Sequence, residues 1–306
     1  MTDGKPNAGN AETVERWQRG ENMETRLRSS YRLSLGVRRW IKTILLVVFV
    51  IIFLIPFFYM FGSAFKTSRE INSYPPTIIP EEVYGGNFKT LLDTAPFQRF
   101  FYNSLRMAVV SAFGVVATST IAGFIFAKYK FKLNKFLFIT IFATSMIPFE
   151  MYMIPLYINV VNAGFGNTFV GMVSPYLVMS FGIFFMRQIA IQQIPDDLMD
   201  AARIDGCSEA QIFLLIVFPL LKSAIAALAI LAFVEGWNAF VWPLIMAQNN
   251  SLFTMEVGLA LFQTTFNVDL GAVAAGSLCS VAPILVVFFI FRRQIMESIA
   301  MTGMKG

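Results

Sequence analysis

The sequence contains no histidine and only two cysteines. Without histidine the chain lacks the usual general base, the commonest zinc ligand, and any nucleophile activated as a Ser-His or Cys-His pair. Cys207 and Cys279 stand at no metal-ligand spacing. On the topology read below, one falls in a cytoplasmic loop and the other in a membrane span, so no disulfide is expected. There is no Gly-x-x-x-x-Gly-Lys-Ser/Thr run, so the chain is not itself a P-loop ATPase. It also lacks a Gly-x-Ser-x-Gly motif, and together these absences argue against a membrane enzyme. Charge is scarce as well. Only 14% of residues are Asp, Glu, Lys or Arg, against about 25% in a soluble domain.

Apolar residues fill the space. They make up 56% of the 306 residues, with 33 phenylalanines and a mean hydropathy of +0.63. Runs long enough to cross a bilayer recur. They predict an all-α membrane protein with six transmembrane helices at about 43–61, 107–127, 136–157, 169–186, 220–240 and 272–291. The first apolar run and its basic leader are both too long for a cleaved secretory signal, despite the small cluster Gly62-Ser63-Ala64. Residues 1–42 form a polar tail, expected to be disordered to about residue 25. Its basic part, 26–42, is read as a topogenic charge cluster rather than a lipid-binding segment. Residues 62–106 form a Pro-punctuated external loop with short helices, 187–219 a cytoplasmic loop, and 292–306 a cytoplasmic C-terminal tail. Lys and Arg split nineteen to five between the two sides, which places both termini and the 187–219 loop in the cytoplasm. The formal charge of +5 therefore reports topology and implies no nucleic-acid partner.

Residues 194–219 are polar where their surroundings are apolar. They hold Asp196, Asp197, Asp200, Asp205, Glu209 and one base, Arg203. Pro195 suits the first helical position, and Asp196 and Asp197 suit the positive end of the helix dipole. Leu198, Ala201 and Ala202 share one face. Gly206 ends the helix in a left-handed conformation. Ser208 restarts it as an N-cap, with Gln211 completing a capping box. The prediction is a helix–Gly–helix elbow with a small, smooth face that another surface can approach.

The order Asp200-Ala201-Ala202-x-x-Asp205-Gly206, followed by Ile216-Val217-Phe218-Pro219, resembles the EAA loop of inner-membrane permeases of binding-protein-dependent ABC importers. Asp200 stands where the family usually has Glu. The stretches around Met146-Ile147-Pro148, Asn167-Thr168, Pro175-Tyr176 and Glu235-Gly236-Trp237-Asn238, with Asn103-Ser104 and the Gly303-Met304-Lys305-Gly306 tail, resemble carbohydrate-uptake members, in particular the second permease of the maltose-type pair. The resemblance implies a type I permease fold over 43–291 in a bacterial or archaeal cytoplasmic membrane. It implies a heterodimer with a second permease, two ATPase subunits carrying ATP and magnesium, and an external solute-binding protein. This chain would bind no cofactor and catalyse no reaction itself. The implied ATPase-coupling residues are Asp200, Ala201, Ala202, Asp205, Gly206, Ser208 and Pro219.

Candidate substrate-path residues are Glu150, a carboxylate inside a span, with Tyr152, Glu235, Trp237 and Asn238. Trp242 and Tyr157 are assigned to the aromatic belt at the membrane interface. Two rival readings stand beside the sugar importer: an ion-coupled secondary transporter or channel, and, within the ABC class, import of glycerol phosphate or another polyol-like solute. The chain has no clear internal repeat and only Glu150 clearly embedded, which sets it against the first rival.

Overall fold

The computed structural model describes residues 39–265 and 270–303, with side chains described for 39–262 and 270–292. The expected disorder before about residue 25, most of the 26–42 basic stretch and residues 304–306 lie outside the described residues. All regular elements among the described residues are helical. In chain order they are α1 (Arg39–Ala64), α2 (Ser68–Ile71), α3 (Gly86–Thr94), α4 (Phe97–Lys128), α5 (Asn134–Thr144), α6 (Phe149–Asn162) and α7 (Phe169–Val173). A 3₁₀ turn, Ser174–Tyr176, leads to α8 (Ser180–Gln193), α9 (Asp196–Ile204) and α10 (Glu209–Gln211). A π-helical segment, Ile212–Val217, then passes into α11 (Phe218–Leu220), α12 (Lys222–Trp237), α13 (Val241–Met246), α14 (Met255–Thr265) and α15 (Leu270–Gly303).

The described residues 39–59 form one unit and those from Met60 a second. In the first, every side chain from Arg39 to Tyr59 is exposed, and α1 has a mean hydropathy of 3.1. Such a surface is incompatible with water and fits lipid as its solvent.

The second unit is built on α4, against which α8 and α12 pack. The buried face of α4 includes a series of small residues: Ser104, Ala108, Ser111, Ser119 and Gly123. The partner helices come close in return. A Cβ on Gly236 would lie 3.0 Å from the Ala108 Cα, and one on Gly123 would lie 2.8 Å from the Arg187 backbone nitrogen. Close backbone approach through small residues is how helices associate where lipid offers no hydrophobic drive. Asn103 Nδ2 donates to the Ser251 and Phe253 carbonyls at 2.9 and 3.0 Å, and the Met255 amide donates to Ser104 Oγ at 2.8 Å. The Asn103-Ser104 pair therefore fastens the segment before α14 to α4.

Among the described residues, α1, α4 and Leu270–Arg292 of α15 are unbroken and long and apolar enough to span. The other three expected spans are bent pairs. Asn134–Thr144 and Phe149–Asn162 meet at 99°, Phe169–Tyr176 and Ser180–Gln193 at 43°, and Glu209–Leu220 and Lys222–Trp237 at 79°. Each break follows or precedes a proline: Pro148, Pro175 and Pro219. Proline removes a helical donor and drives its predecessor out of the helical region. The expected start of the second span at 107 is ten residues late, because α4 begins directly after Pro96. The backbone of α15 also continues through the expected tail, as far as Gly303.

Candidate functional site

Two regions are candidates for function: the elbow after α8 and a cavity formed at the helix breaks. The elbow forms as its residues dictate. Pro195 is the N-cap of α9, one position earlier than expected, and Asp196 and Asp197 occupy the first turn. At the far end Gly206 has φ +84°. The Cys207 amide donates to the Ala202 carbonyl at 3.0 Å and the Gly206 amide to the Arg203 carbonyl at 3.1 Å, the paired bonds of a Schellman stop. Ser208 and Gln211 then form the expected capping box.

The face of the elbow differs from expectation. Ala202 is 6% exposed and Met199 2%, both packed among Ile212, Val217, Leu221 and Leu228. Burying Met199 and Ile212 stabilises the elbow by about 2 kcal/mol each, so Ala202 supports the outward face from beneath. The outward surface is Leu198, Ala201 and Ile204, the last 87% exposed. Asp205, Gly206, Ser208 and Pro219 are also exposed. Asp200 is engaged within the chain, accepting from Arg203 Nη1 at 2.7 Å, while Arg203 Nε donates to Glu209 Oε1 at 2.8 Å. One guanidinium thus ties α9 to α10 across Gly206.

Two side chains tie this elbow to the end of α4. Lys128 Nζ donates to Asp196 Oδ1 at 2.7 Å and to the Ile194 carbonyl, and the Tyr129 hydroxyl donates to Glu209. The Lys128 side chain is only 7% exposed, whereas that of Asp196 is 80% exposed. The Lys128 ammonium, hydrogen-bonded to Asp196, holds that carboxyl below the usual carboxylate range. A lowered folded value means the pair contributes above the ordinary carboxylate pKa, about 3.9, and is lost as pH falls through the lowered value. The extra hydrogen-exchange protection that Lys128 gives α9, relative to Lys128→Met, is therefore expected to stay constant from pH 8 to about 5 and to vanish only in stronger acid. A decline centred near neutrality would contradict this assignment.

The cavity has a volume of about 1090 Å³, at the upper end of ordinary small-molecule pockets. Its walls come from three interruptions of helix, at 145–148, 177–179 and 238–240. Broken backbone at membrane depth is tolerated where it lines a water-filled space or is buried in protein. Thr144 Oγ1 and Ser180 Oγ lie 2.8 Å apart and join the first two breaks. Phe149 meets Tyr152 edge-on at 5.2 Å and Trp242 edge-on at 5.9 Å, which gives the cavity an aromatic wall.

Of the substrate-path candidates, Glu150, Tyr152, Glu235 and Asn238 all line this cavity, joined by Tyr176. Trp237 does not. It is fully buried, its Nε1 donates to the Ser280 carbonyl at 3.1 Å, and its ring packs on Phe101 and Phe233. Its indole N–H needs a buried acceptor, and α15 supplies one. Trp242 likewise leaves the expected interface belt: it is fully buried, donates to the Gly171 carbonyl at 3.1 Å, and lies in the cavity wall.

Ile204, Lys128 and Tyr129 were not expected at a site. Ile204 had a legible signal, since it falls off the inward stripe of Met199 and Ala202 in an otherwise polar elbow. The Lys128 and Tyr129 bonds span 68 and 80 residues of chain, which local pattern does not reveal.

Residues 119–295 match the model of the binding-protein-dependent transport system inner membrane component family. The arabinooligosaccharides transport system permease protein of Halalkalibacterium halodurans is 33% identical over 278 residues, covering 90% of this chain and 99% of that protein. The lactose transport system permease protein of Rhizobium radiobacter is 34% identical over 197 residues, 64% of this chain and 72% of that protein. A solved bacterial ABC transporter involved in the import of the acidic polysaccharide alginate has the same fold, with a TM-score of 0.75, 19% identity, and coverage of 83% of this chain and 94% of that one.

Proposed function

This chain belongs to the family of inner membrane components of binding-protein-dependent transport systems, and from that premise we propose that it forms one half of a heterodimeric permease importing a sugar or oligosaccharide. It is a membrane permease subunit of an ABC importer, a system that includes ATPase and solute-binding partners. The elbow carries the finer reading. A Schellman stop, a capping box and an Arg203 tie build a rigid projection whose outward residue, Ile204, is 87% exposed. A large apolar side chain held out on a rigid polar elbow fits insertion into a pocket on a protein partner. The excess of Lys and Arg on the elbow's side supports placing it, with both termini, in the cytoplasm.

In this reading ATP and magnesium bind the partner ATPases. Closure of the ATPases carries each docked elbow inward, and the permease halves rock as rigid bodies. The cavity then opens outward to the solute-binding protein. After hydrolysis it opens inward. Glu150, Tyr152, Glu235 and Asn238 meet cargo, and the aromatic wall stacks on sugar faces.

The test is ATP-dependent uptake of lactose and arabino-oligosaccharides by proteoliposomes carrying the complex purified on this chain. Wild type is expected to bring down a P-loop ATPase and take up at least one of these glycans. Ile204→Glu is expected to retain the second permease and lose most of the ATPase. Uptake that follows a proton or sodium gradient, with no ATPase in the complex, would favour the ion-coupled reading instead.

A further inference from the structure

The electrostatics of the cavity deepen the sugar-import reading, on which this inference rests. Glu150 enters from the first turn of α6 and Glu235 from the last turns of α12, so two separate elements aim carboxylates into one space. Both are exposed, and neither has a hydrogen-bond or ion-pair partner among the described residues. Among the described residues, no lysine or arginine lines the cavity. The other polar contributors, such as Tyr152, Asn238 and Ser180, are neutral. Carboxylates within a membrane span face water or a counter-charge, because lipid is too costly. Here the described residues supply an open cavity and no counter-charge. A cavity with low-dielectric walls and one sign of charge focuses its field on whatever enters.

We propose that this path selects uncharged glycans against anionic ones, and that Glu150 and Glu235 are the discriminating residues. An ionised carboxylate is acceptor-only, so it takes hydroxyl donors from a neutral sugar. The same oxygens repel the carboxylate of a uronic acid or the oxygens of a sugar phosphate. The fold is shared with an importer of an acidic polysaccharide, so the fold itself does not set cargo charge; the lining side chains do.

Matched pairs test this on the detergent-purified complex without its solute-binding protein. Galactobiose is compared with digalacturonate, and cellobiose with its uronate, by saturation-transfer NMR. Each pair differs in charge at nearly constant size. In wild type the anionic member is expected to bind at least about tenfold more weakly, the scale of like charges opposed in a confined site. The double variant Glu150→Gln/Glu235→Gln is expected to bring the ratio to within about threefold. The single variant Glu150→Gln, at an exposed position, is expected to give an intermediate ratio and stands in if the double variant fails to assemble. Glu235→Asp keeps the charge and is expected to keep the wild-type ratio. Equal binding of both members by wild type, no binding of either neutral sugar, or a ratio unmoved by the Gln variants overturns the proposal. Equal binding by wild type would mean that bases of the partner permease neutralise the two carboxylates; an unmoved ratio would place discrimination on other residues. The importer reading fails separately, if the purified complex contains no P-loop ATPase.

Discussion

Replacing Gly206 with arginine is expected to strip the ATPase from the purified complex while the second permease remains bound. The argument has two parts that separate by variant. Gly206 sits at φ +84°, where an L-residue other than Gly costs about 1–2 kcal/mol. An added Cβ would meet nothing within 4 Å, so the chain itself has room and the local cost is conformational only. Asparagine tolerates this conformation best among the non-glycine residues, so Gly206→Asn is expected to keep ATPase recovery near wild type. Alanine bears the conformational cost without bulk, and Gly206→Ala is expected to weaken recovery modestly. Arginine adds a long side chain on the surface that carries Leu198, Ala201 and Ile204, and holds the two proteins apart at a loss of about 2 kcal/mol or more, the scale of an interface hot spot. Recovery should therefore fall in the order Gly, Asn, Ala, Arg. If Arg and Asn behaved alike, the role of Gly206 would be confined to the turn, and the elbow would not be the docking surface.

The elbow was legible because its signals are local. A left-handed glycine, an acidic first turn and a Ser208–Gln211 capping box each depend on residues within one or two turns of one another, and each formed in place. What local pattern left out is which side of α9 faces the bundle. Ala201 and Ala202 are neighbours in sequence and were read as one smooth face, but tertiary packing buried one and exposed the other. The spans were legible from hydropathy, yet hydropathy is insensitive to direction, so three spans proved to be bent pairs. The prolines marked those bends. The substrate path shows the same division. Glu150, Tyr152, Glu235 and Asn238 converge on the cavity, since polar groups in apolar helices point to enclosed water. Trp237 has the same sequence signal, but an acceptor on α15, the Ser280 carbonyl, draws its indole into the core.

The double variant Lys128→Met/Tyr129→Phe is expected to uncouple ATP hydrolysis from transport. These adjacent residues at the end of α4 hold both halves of the elbow: Lys128 holds Asp196 and the Ile194 carbonyl on the α9 side, and Tyr129 holds Glu209 on the α10 side. Because α4 also packs on α8 and α12, displacement of the elbow passes directly to the helix that organises the bundle. A single attachment would let the elbow pivot, whereas two on opposite sides of Gly206 transmit rotation as well as translation. The proposed docking face of Leu198, Ala201 and Ile204 is untouched by these substitutions, so the ATPase should still bind and turn over. The quantity that should move is ATP hydrolysed per glycan imported, rising about fivefold or more, the lower end of ordinary coupling energies. Lys128→Arg retains a cation able to reach Asp196 and should restore most of the coupling, which a loss of stability alone would not do. Loss of the ATPase from the double variant would instead mean that the two side chains shape the docking face. An unchanged ratio would route the coupling through the apolar packing of Met199, Ala202 and Ile212.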